Sequence, residues 1–302
     1  MAAHAIRAGE GDVFIAGGVE CISRYDGGLP DAVGKENPRF DAAMARSAAR
    51  ATGLLADWEA AALPDAYIAM GQTAENVAQI HNVSREDMDL FAHSSQERAA
   101  KATSSGFFAT EITPVTLSDG TVIATDDSPR PDTTLEGLAG LKPAFREDGA
   151  VTAGNACPLN DGAATTVIMS DRHATSLGIK PIARILSTAV SALDPEIMGL
   201  GPVESSRRAL ERAGLSISDV DLFEINEAFA AQVIPCIREL DIPSDKLNVH
   251  GGAIALGHPF GMTGARIMNT LLHGLEEADA AIGLETMCVG GGQGAAALFE
   301  RA

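Results

Sequence analysis

Short apolar runs alternate with amphipathic stretches along most of the chain. Residues 12–16, Asp-Val-Phe-Ile-Ala, form the first run, and Gly17-Gly18 stops it, so the pattern predicts a buried strand. Residues 73–80 and 84–104 carry helical spacing. Ser84-Arg-Glu-Asp87 has the form of a capping box, a serine at the N-cap with an acidic residue three positions on, and Gly106 closes that helix. Residues 163–169 read as another buried strand. Beyond residue 180 the alternation becomes regular, with strands over 182–187, 220–225, 247–250, 281–286 and 295–299. Helices are predicted over 201–214, 228–240 and 264–275; Gly201-Pro202 opens the first, with proline at the first helical position. Such strand–helix alternation predicts an α/β fold with helices covering a sheet.

Two segments interrupt this rhythm. Residues 25–65 mix Gly, Pro and charge with an Ala-rich stretch near 41–56 and read as an excursion rather than a layer. Residues 111–150 hold short strand and turn signals around Pro114, Pro129, Pro131 and Pro143. A weak internal repeat is also visible. Asp12-Val-Phe-Ile-Ala-Gly-Gly and Leu284-Glu-Thr-Met-Cys-Val-Gly-Gly are strands ending in paired glycines. Gly162-Ala-Ala-Thr-Thr-Val-Ile and Gly294-Ala-Ala-Ala-Leu-Phe are strands entered through Gly-Ala-Ala. The repeat predicts two halves built on one plan, with an insertion inside the first. Residues 181–280 precede the repeated strands in the second half, and almost nothing does in the first, which is expected to lack its opening strands and helices.

Composition narrows the partners. A length of 302 residues suggests about two domains. A net charge of −19 excludes broad electrostatic binding to nucleic acid or acidic membranes, but not an anionic small ligand held by a few local donors. No apolar stretch reaches the roughly 18 residues of a membrane span, and residues 1–10 lack the apolar run of a secretory signal. The four cysteines, Cys21, Cys157, Cys236 and Cys288, show neither CxxC spacing nor the density of a disulfide framework. They read as free thiols of a reducing, cytoplasmic compartment.

Three turns that follow strands carry the candidate chemistry: Asn226-Glu-Ala-Phe-Ala230, Gly251-Gly-Ala-Ile-Ala-Leu-Gly-His-Pro-Phe-Gly261 and Cys288-Val-Gly-Gly-Gly-Gln-Gly294. Ligands of open α/β sheets bind at the carboxyl ends of strands, so the three can converge on one site. Asn226 is either a helix N-cap or a catalytic amide. His258 is either structural or set close to a ligand by its flanking glycines. Cys288 is either a core thiol or a reactive one beside backbone donors that can form an anion-binding nest. The glycine stretches match no phosphate or dinucleotide template, and no His/Cys group has zinc spacing, so no metal is expected.

Together with Met70-Gly-Gln-Thr-Ala-Glu-Asn76, Val151-Thr-Ala-Gly-Asn155 and Asn160-Asp-Gly-Ala163, these turns closely resemble the thiolase family, in order, over essentially the whole chain. The resemblance implies an α/β thiolase fold, layered αβαβα, with two similar halves and an inserted loop domain. It divides the chain into a remnant of the first half (1–29), the inserted loop domain (30–158), the end of the first half (159–180) and the second half (181–302). It implies a transferase that cleaves 3-ketoacyl-CoA with coenzyme A in β-oxidation-like fatty acid degradation, or condenses two acyl-CoA units in reverse. Coenzyme A is then a substrate, no cofactor is expected, and the protein is a homodimer or homotetramer.

The resemblance also carries roles residue by residue. His258 matches the base that activates the nucleophilic thiol and, with a water held by Asn226, stabilises the thioester enolate. Cys288 matches the second acid/base thiol, and a thiol pKa of about 8.5 suits that task. The Gly290 N–H matches half of an oxyanion hole. Met70, Arg130, Phe145, Ala153, Gly154, Cys157, Ala228 and Phe229 match the lining of the coenzyme A tunnel; Arg130 lies in a variable stretch, and Cys157 stands where many relatives carry Ser. Ala69 replaces the His of acetoacetyl types and points to the degradative 3-ketoacyl type. His250 replaces an Asn and has no evident role.

One departure concerns the nucleophile. The family's acyl-accepting Cys lies on a buried helix just upstream of the segment matching residues 2–20. Cys21 lies on the wrong side of the element to replace it. Acyl transfer needs an attacking thiolate, so this chain as written is expected to be inactive alone, either because Met1 is an internal methionine of a longer protein or because the chain is truncated. The alternatives are a non-catalytic acyl-CoA- or lipid-binding thiolase remnant and a thioester hydrolase using Cys288 and His258.

Overall fold

The computed structural model describes residues 1–24, 36–54 and 58–302. Helix α1 (Ala2–Ala8) opens the chain, and Gly9 closes it at φ +78°. Strand β1 (Val13–Glu20) follows. A long excursion then carries α2 (Asp41–Ala51), α3 (Met70–Ile80), α4 (Arg85–Ser105), the two-residue strands β2 (Val115–Thr116) and β3 (Val122–Ile123), and α5 (Leu135–Ala139). The chain returns through β4 (Gly162–Met169) and α6 (Asp171–Leu177). The second half comprises β5 (Ala183–Ala192), α7 (Gly201–Ala213), β6 (Leu222–Ile225), α8 (Ala230–Leu240), α9 (Ala253–Leu256), α10 (Thr263–Glu277), β7 (Ile282–Val289) and β8 (Gln293–Arg301).

The internal repeat is an architectural one. β1 runs antiparallel to β4, and β7 runs antiparallel to β8. The second-half sheet has the order β5-β8-β7-β6, with β6 parallel to β7. α10 lies between the two sheets: it packs on β6 and β7 and also on β4, where Thr166 and Asn269 meet at 2.9 Å. α1 joins it there, with His4 reaching Thr188 of β5. α7 and α8 cover the other side of the large sheet, where Phe223, Ile225, Leu284 and Leu298 form a core with Val203, Leu210, Val233 and Leu240. On the side of β1 and β4 away from α10, Val13, Ile15, Val19 and Val167 are exposed.

Three sequence expectations change. Gly17-Gly18 does not stop β1; both pair with β4, opposite Thr165 and Ala164. The glycines serve a close approach instead, since a Cβ on Gly18 would stand 1.7 Å from the Gly261 carbonyl oxygen. Residues 247–250 are not a strand. Leu247 makes a single parallel bridge to Phe223, and Asn248 then turns the chain away at φ +43°. The excursion expected over 25–65 lies partly outside the described residues, and its Ala-rich part is helix α2. At Ser84 the cap forms, with Oγ accepting from the Asp87 N–H at 3.0 Å.

Candidate active site

β6 and β7 are parallel neighbours, so their carboxyl ends bring Asn226 and Cys288 to the same edge. The Asn226 N–H donates to the Thr286 carbonyl at 3.0 Å, two residues before Cys288. Leu247 bridges β6 on its other side and places the 251–261 loop next in line. The three turns singled out in the sequence therefore meet at one end of the sheet.

Asn226 does not cap α8. Phe229 occupies the N-cap position, in extended backbone, and bridges Ala156. The Asn226 side chain is 1% exposed, and both its Oδ1 and its Nδ2 lack protein partners. Buried polar atoms are normally hydrogen-bonded, so this amide is set up for a water or a ligand atom. Cys288 is buried with Met198 and Ala228, and Cys157 and Phe229 pack against the same cluster. Burial pushes the Cys288 thiol up to about 12, so in the resting site it is a neutral thiol, a proton donor first. Gly290 opens the turn between β7 and β8, which Gly291 and Gly292 continue at φ +85° and +87°.

His258 is 8% exposed. Its Nδ1 lies 2.8 Å from Thr263 Oγ1, and that hydroxyl donates to the Pro259 carbonyl at 2.8 Å. A hydroxyl has one proton, so Nδ1 is the N–H and Nε2 keeps its lone pair. Burial, with Arg266 adding to it, pushes the imidazole down to about 4. The ring is a neutral acceptor at Nε2 around pH 7. Thr263 starts α10, and the next residue, Gly264, lies against the Met287 sulfur beside Cys288.

The excursion builds the other wall. Cys157 donates its backbone N–H to the Ala228 carbonyl at 3.0 Å. Burial pushes its thiol up to about 12, with Cys288 adding to the effect, which suits a wall residue rather than a nucleophile. Phe145 meets Phe229 edge to face at 5.8 Å. Gly71 makes room for Phe145, because a Cβ there would stand 2.1 Å from the ring, and Met70 lies beside it at the start of α3. Arg130, Ala153 and Gly154 line a pocket of about 190 Å³ with Gln96, Leu138 and Leu141. Asn226, His258, Cys288 and Gly290 thus lie in the strand-end turns, Cys157, Phe145, Ala228 and Phe229 pack beside them, and Arg130, Ala153 and Gly154 line the separate pocket of the excursion. Thr263, Gln96, Leu138 and Leu141 were not singled out; their contacts depend on which distant segments meet. His250, without a role in the sequence, stacks on Phe107 at 3.5 Å and bonds Glu277 at 2.6 Å.

The loop glycines have separate tasks. Gly251, at φ +81°, lets the loop approach the backbone of α4, where a Cβ would stand 2.6 Å from the Ser95 carbonyl oxygen. Gly252 leaves room for the Glu227 carboxylate, 2.2 Å from where its Cβ would be. Burial raises the Glu227 pKa, and hydrogen bonds from Ser95, Asn248 and Ile254 oppose that rise.

Two α/β halves carry, at the strand ends of the second, a buried thiol, a neutral imidazole and an unpartnered amide, groups that can give, take and hold protons. Residues 1–172 match the thiolase N-terminal domain and residues 179–301 the thiolase C-terminal domain, and the chain belongs to the thiolase family, a family of acyltransferases. It is 48% identical to the beta-ketoadipyl-CoA thiolase of Escherichia coli, over 100% of this chain and 75% of that protein. It is 44% identical to the 3-ketoacyl-CoA thiolase of Aliivibrio fischeri, over 99% of this chain and 74% of that protein. The fold matches the dimeric peroxisomal thiolase of Saccharomyces cerevisiae with a TM-score of 0.88 and 39% identity, covering 100% of this chain and 72% of that one. Among the described residues no helix is long and apolar enough to cross a membrane, and no group of His, Cys, Asp and Glu could hold a metal ion.

Proposed function

We propose that this chain carries the coenzyme A-binding and acid/base parts of a thiolase site for CoA-dependent cleavage of 3-ketoacyl-CoA or the reverse condensation. The observation that carries the reading is the buried, unpartnered Asn226 amide at the same sheet edge as the Cys288 thiol. In cleavage, an acyl-accepting thiolate adds to the C3 carbonyl; the tetrahedral adduct collapses, the bond between C2 and C3 breaks, and its electrons pass to the thioester oxygen of the departing acetyl-CoA enolate while the acyl group stays on the sulfur. A water held between the Asn226 amide and the His258 Nε2 lone pair donates to that oxygen. The neutral Cys288 thiol gives its proton to C2, and the resulting thiolate then takes a proton from the incoming coenzyme A. The Gly290 N–H supports the oxyanion of the tetrahedral adduct. Arg130, Ala153 and Gly154 bind the coenzyme, and Met70, Phe145, Cys157, Ala228 and Phe229 line the path to the thiol. The protein works as a homodimer or larger homo-oligomer.

The acyl-accepting thiol is not among the cysteines of this chain. Cys288 is committed to proton transfer, Cys157 lies in the wall, Cys236 of α8 is buried with its thiol on the Gly199 carbonyl, and Cys21 is exposed beside Asp161. The test is to incubate the 302-residue chain with 3-ketoacyl-CoA and coenzyme A and measure cleavage, bound coenzyme and acyl adducts by mass spectrometry. The expected result is coenzyme binding without an acyl adduct on any of the four cysteines. An acyl adduct on one of them contradicts the assignment. Steady coenzyme A release from acyl-CoA, lost in Cys288→Ala, identifies a hydrolase instead.

A further inference from the structure

Glu227 follows Asn226 directly and is itself 1% exposed. Its Oε1 accepts from the Asn248 side-chain amide at 2.7 Å, and its Oε2 accepts from Ser95 Oγ at 2.6 Å and the Ile254 N–H at 3.2 Å. Ser95 Oγ in turn accepts the Gly252 N–H at 3.1 Å. One carboxylate therefore joins three segments that are remote in sequence: the Asn226 turn, the loop leading through α9 to His258, and α4 of the excursion. All three partners donate, which is what an ionised carboxylate, an acceptor only, requires.

Asn248 makes the arrangement one-way. Its Oδ1 accepts the Ile225 N–H and its Nδ2 donates to the Ile225 carbonyl, both at 2.9 Å. The amide cannot flip without breaking both bonds. A glutamine at 227 would then set an N–H against the Asn248 N–H in one orientation and against the Ile254 N–H in the other. A buried donor facing a donor loses its partner and its solvation together.

We infer that Glu227 is a positioning residue, whose buried carboxylate holds the Asn226 turn and the His258 loop in the one arrangement where both side chains address the same thioester oxygen. The inference rests on the acid/base reading proposed above. It separates two qualities of the site: the pocket lined by Arg130, Ala153 and Gly154 meets this carboxylate through the Ile254 backbone, whereas enolate stabilisation depends on both turns that the carboxylate holds.

The experiment compares the 302-residue chain with Glu227→Gln, Ser95→Ala and Cys288→Ala. Exchange of the α-protons of acetyl-CoA in D2O, followed by NMR at saturating acetyl-CoA, reads the acid/base step. Calorimetry with coenzyme A reads binding, and circular dichroism reads the fold. Glu227→Gln is expected to stay folded, to keep its coenzyme Kd within about threefold, and to lose exchange by about 10²-fold, the scale of a misplaced catalytic group. Ser95→Ala, which removes one donor and keeps the charge, is expected to lose about tenfold. A merely structural role would weaken binding along with exchange. Exchange within about threefold of the parent in both folded variants, with Cys288→Ala inactive, overturns the inference. If Glu227→Gln loses its fold, Ser95→Ala decides alone by the same criterion. Exchange that is absent from the parent, or unchanged in Cys288→Ala, contradicts the acid/base reading and takes this inference with it.

Discussion

His258 and Thr263 form a pair in which a hydroxyl selects a tautomer. Thr263 Oγ1 gives its proton to the Pro259 carbonyl and so accepts from His258 Nδ1. Thr263→Val keeps the side-chain volume and removes the acceptor. We expect it to fold and to lose roughly 10²-fold in α-proton exchange, the lower end of what a placed acid/base group contributes. Thr263→Ser should stay near the parent. Equal rates for the valine and serine variants would show that the hydroxyl does not govern the ring.

The approach of Gly18 to Gly261 ties β1 to the His258 loop. A Cβ at Gly18 would meet the backbone of 261, not a flexible side chain. Gly18→Ala is expected to destabilise the chain by roughly 1–3 kcal/mol, the range for overpacking. Urea unfolding checks this, and an unchanged midpoint would mean that the two segments part easily.

Buried carboxyls make stability fall with pH. Glu285 of β7 sits in register with Glu224 of β6, and both are desolvated. Burial pushes Glu285 up from an ordinary 4.5 to about 8 and Glu111 to about 7. The folded state therefore binds these protons more tightly than the unfolded chain. The contribution of these two carboxyls to stability declines as pH rises from about 4.5 to about 8 and levels off above that, while His258, pushed down to about 4 by burial, opposes it below about pH 6.5. Glu285→Gln should match the parent near pH 4.5 and exceed it near pH 8.5. Parallel unfolding curves for the two proteins across that range would contradict the assignment.

Gly154 keeps open the pocket proposed for the coenzyme. A Cβ there would lie 2.5 Å from Leu141 and 2.6 Å from Leu138. Gly154→Val should weaken coenzyme A binding by about 100-fold, or ~2.7 kcal/mol, without lowering the content of regular structure. Calorimetry reads the affinity, and a Kd unchanged within error would place the coenzyme elsewhere.

The sequence made the strand-end turns legible because each is local: a strand, then Asn226, His258 or Cys288 in a run of small residues. The repeat was legible for the same reason, in paired glycines and Gly-Ala-Ala entries. Local pattern misread Gly17-Gly18 as a stop, because the pressure that selects glycine there comes from residue 261. It misread 247–250 as a strand, because Asn248 spends its amide on Ile225 and turns the chain. In the sequence, Glu227 is only the second residue of the Asn226-Glu-Ala-Phe-Ala230 turn. Its importance depends on Ser95, Asn248 and Ile254, which only the folded chain brings together.

The central claim is that Cys288 moves the proton at the substrate α-carbon. Exchange of acetyl-CoA α-protons in D2O tests it without any acyl transfer. The 302-residue chain should catalyse the exchange and Cys288→Ala should not. Because burial holds the thiol near 12, the thiolate fraction, and with it the rate, should rise about tenfold per pH unit through neutrality. Exchange that persists in Cys288→Ala, or that falls with rising pH, would contradict the account.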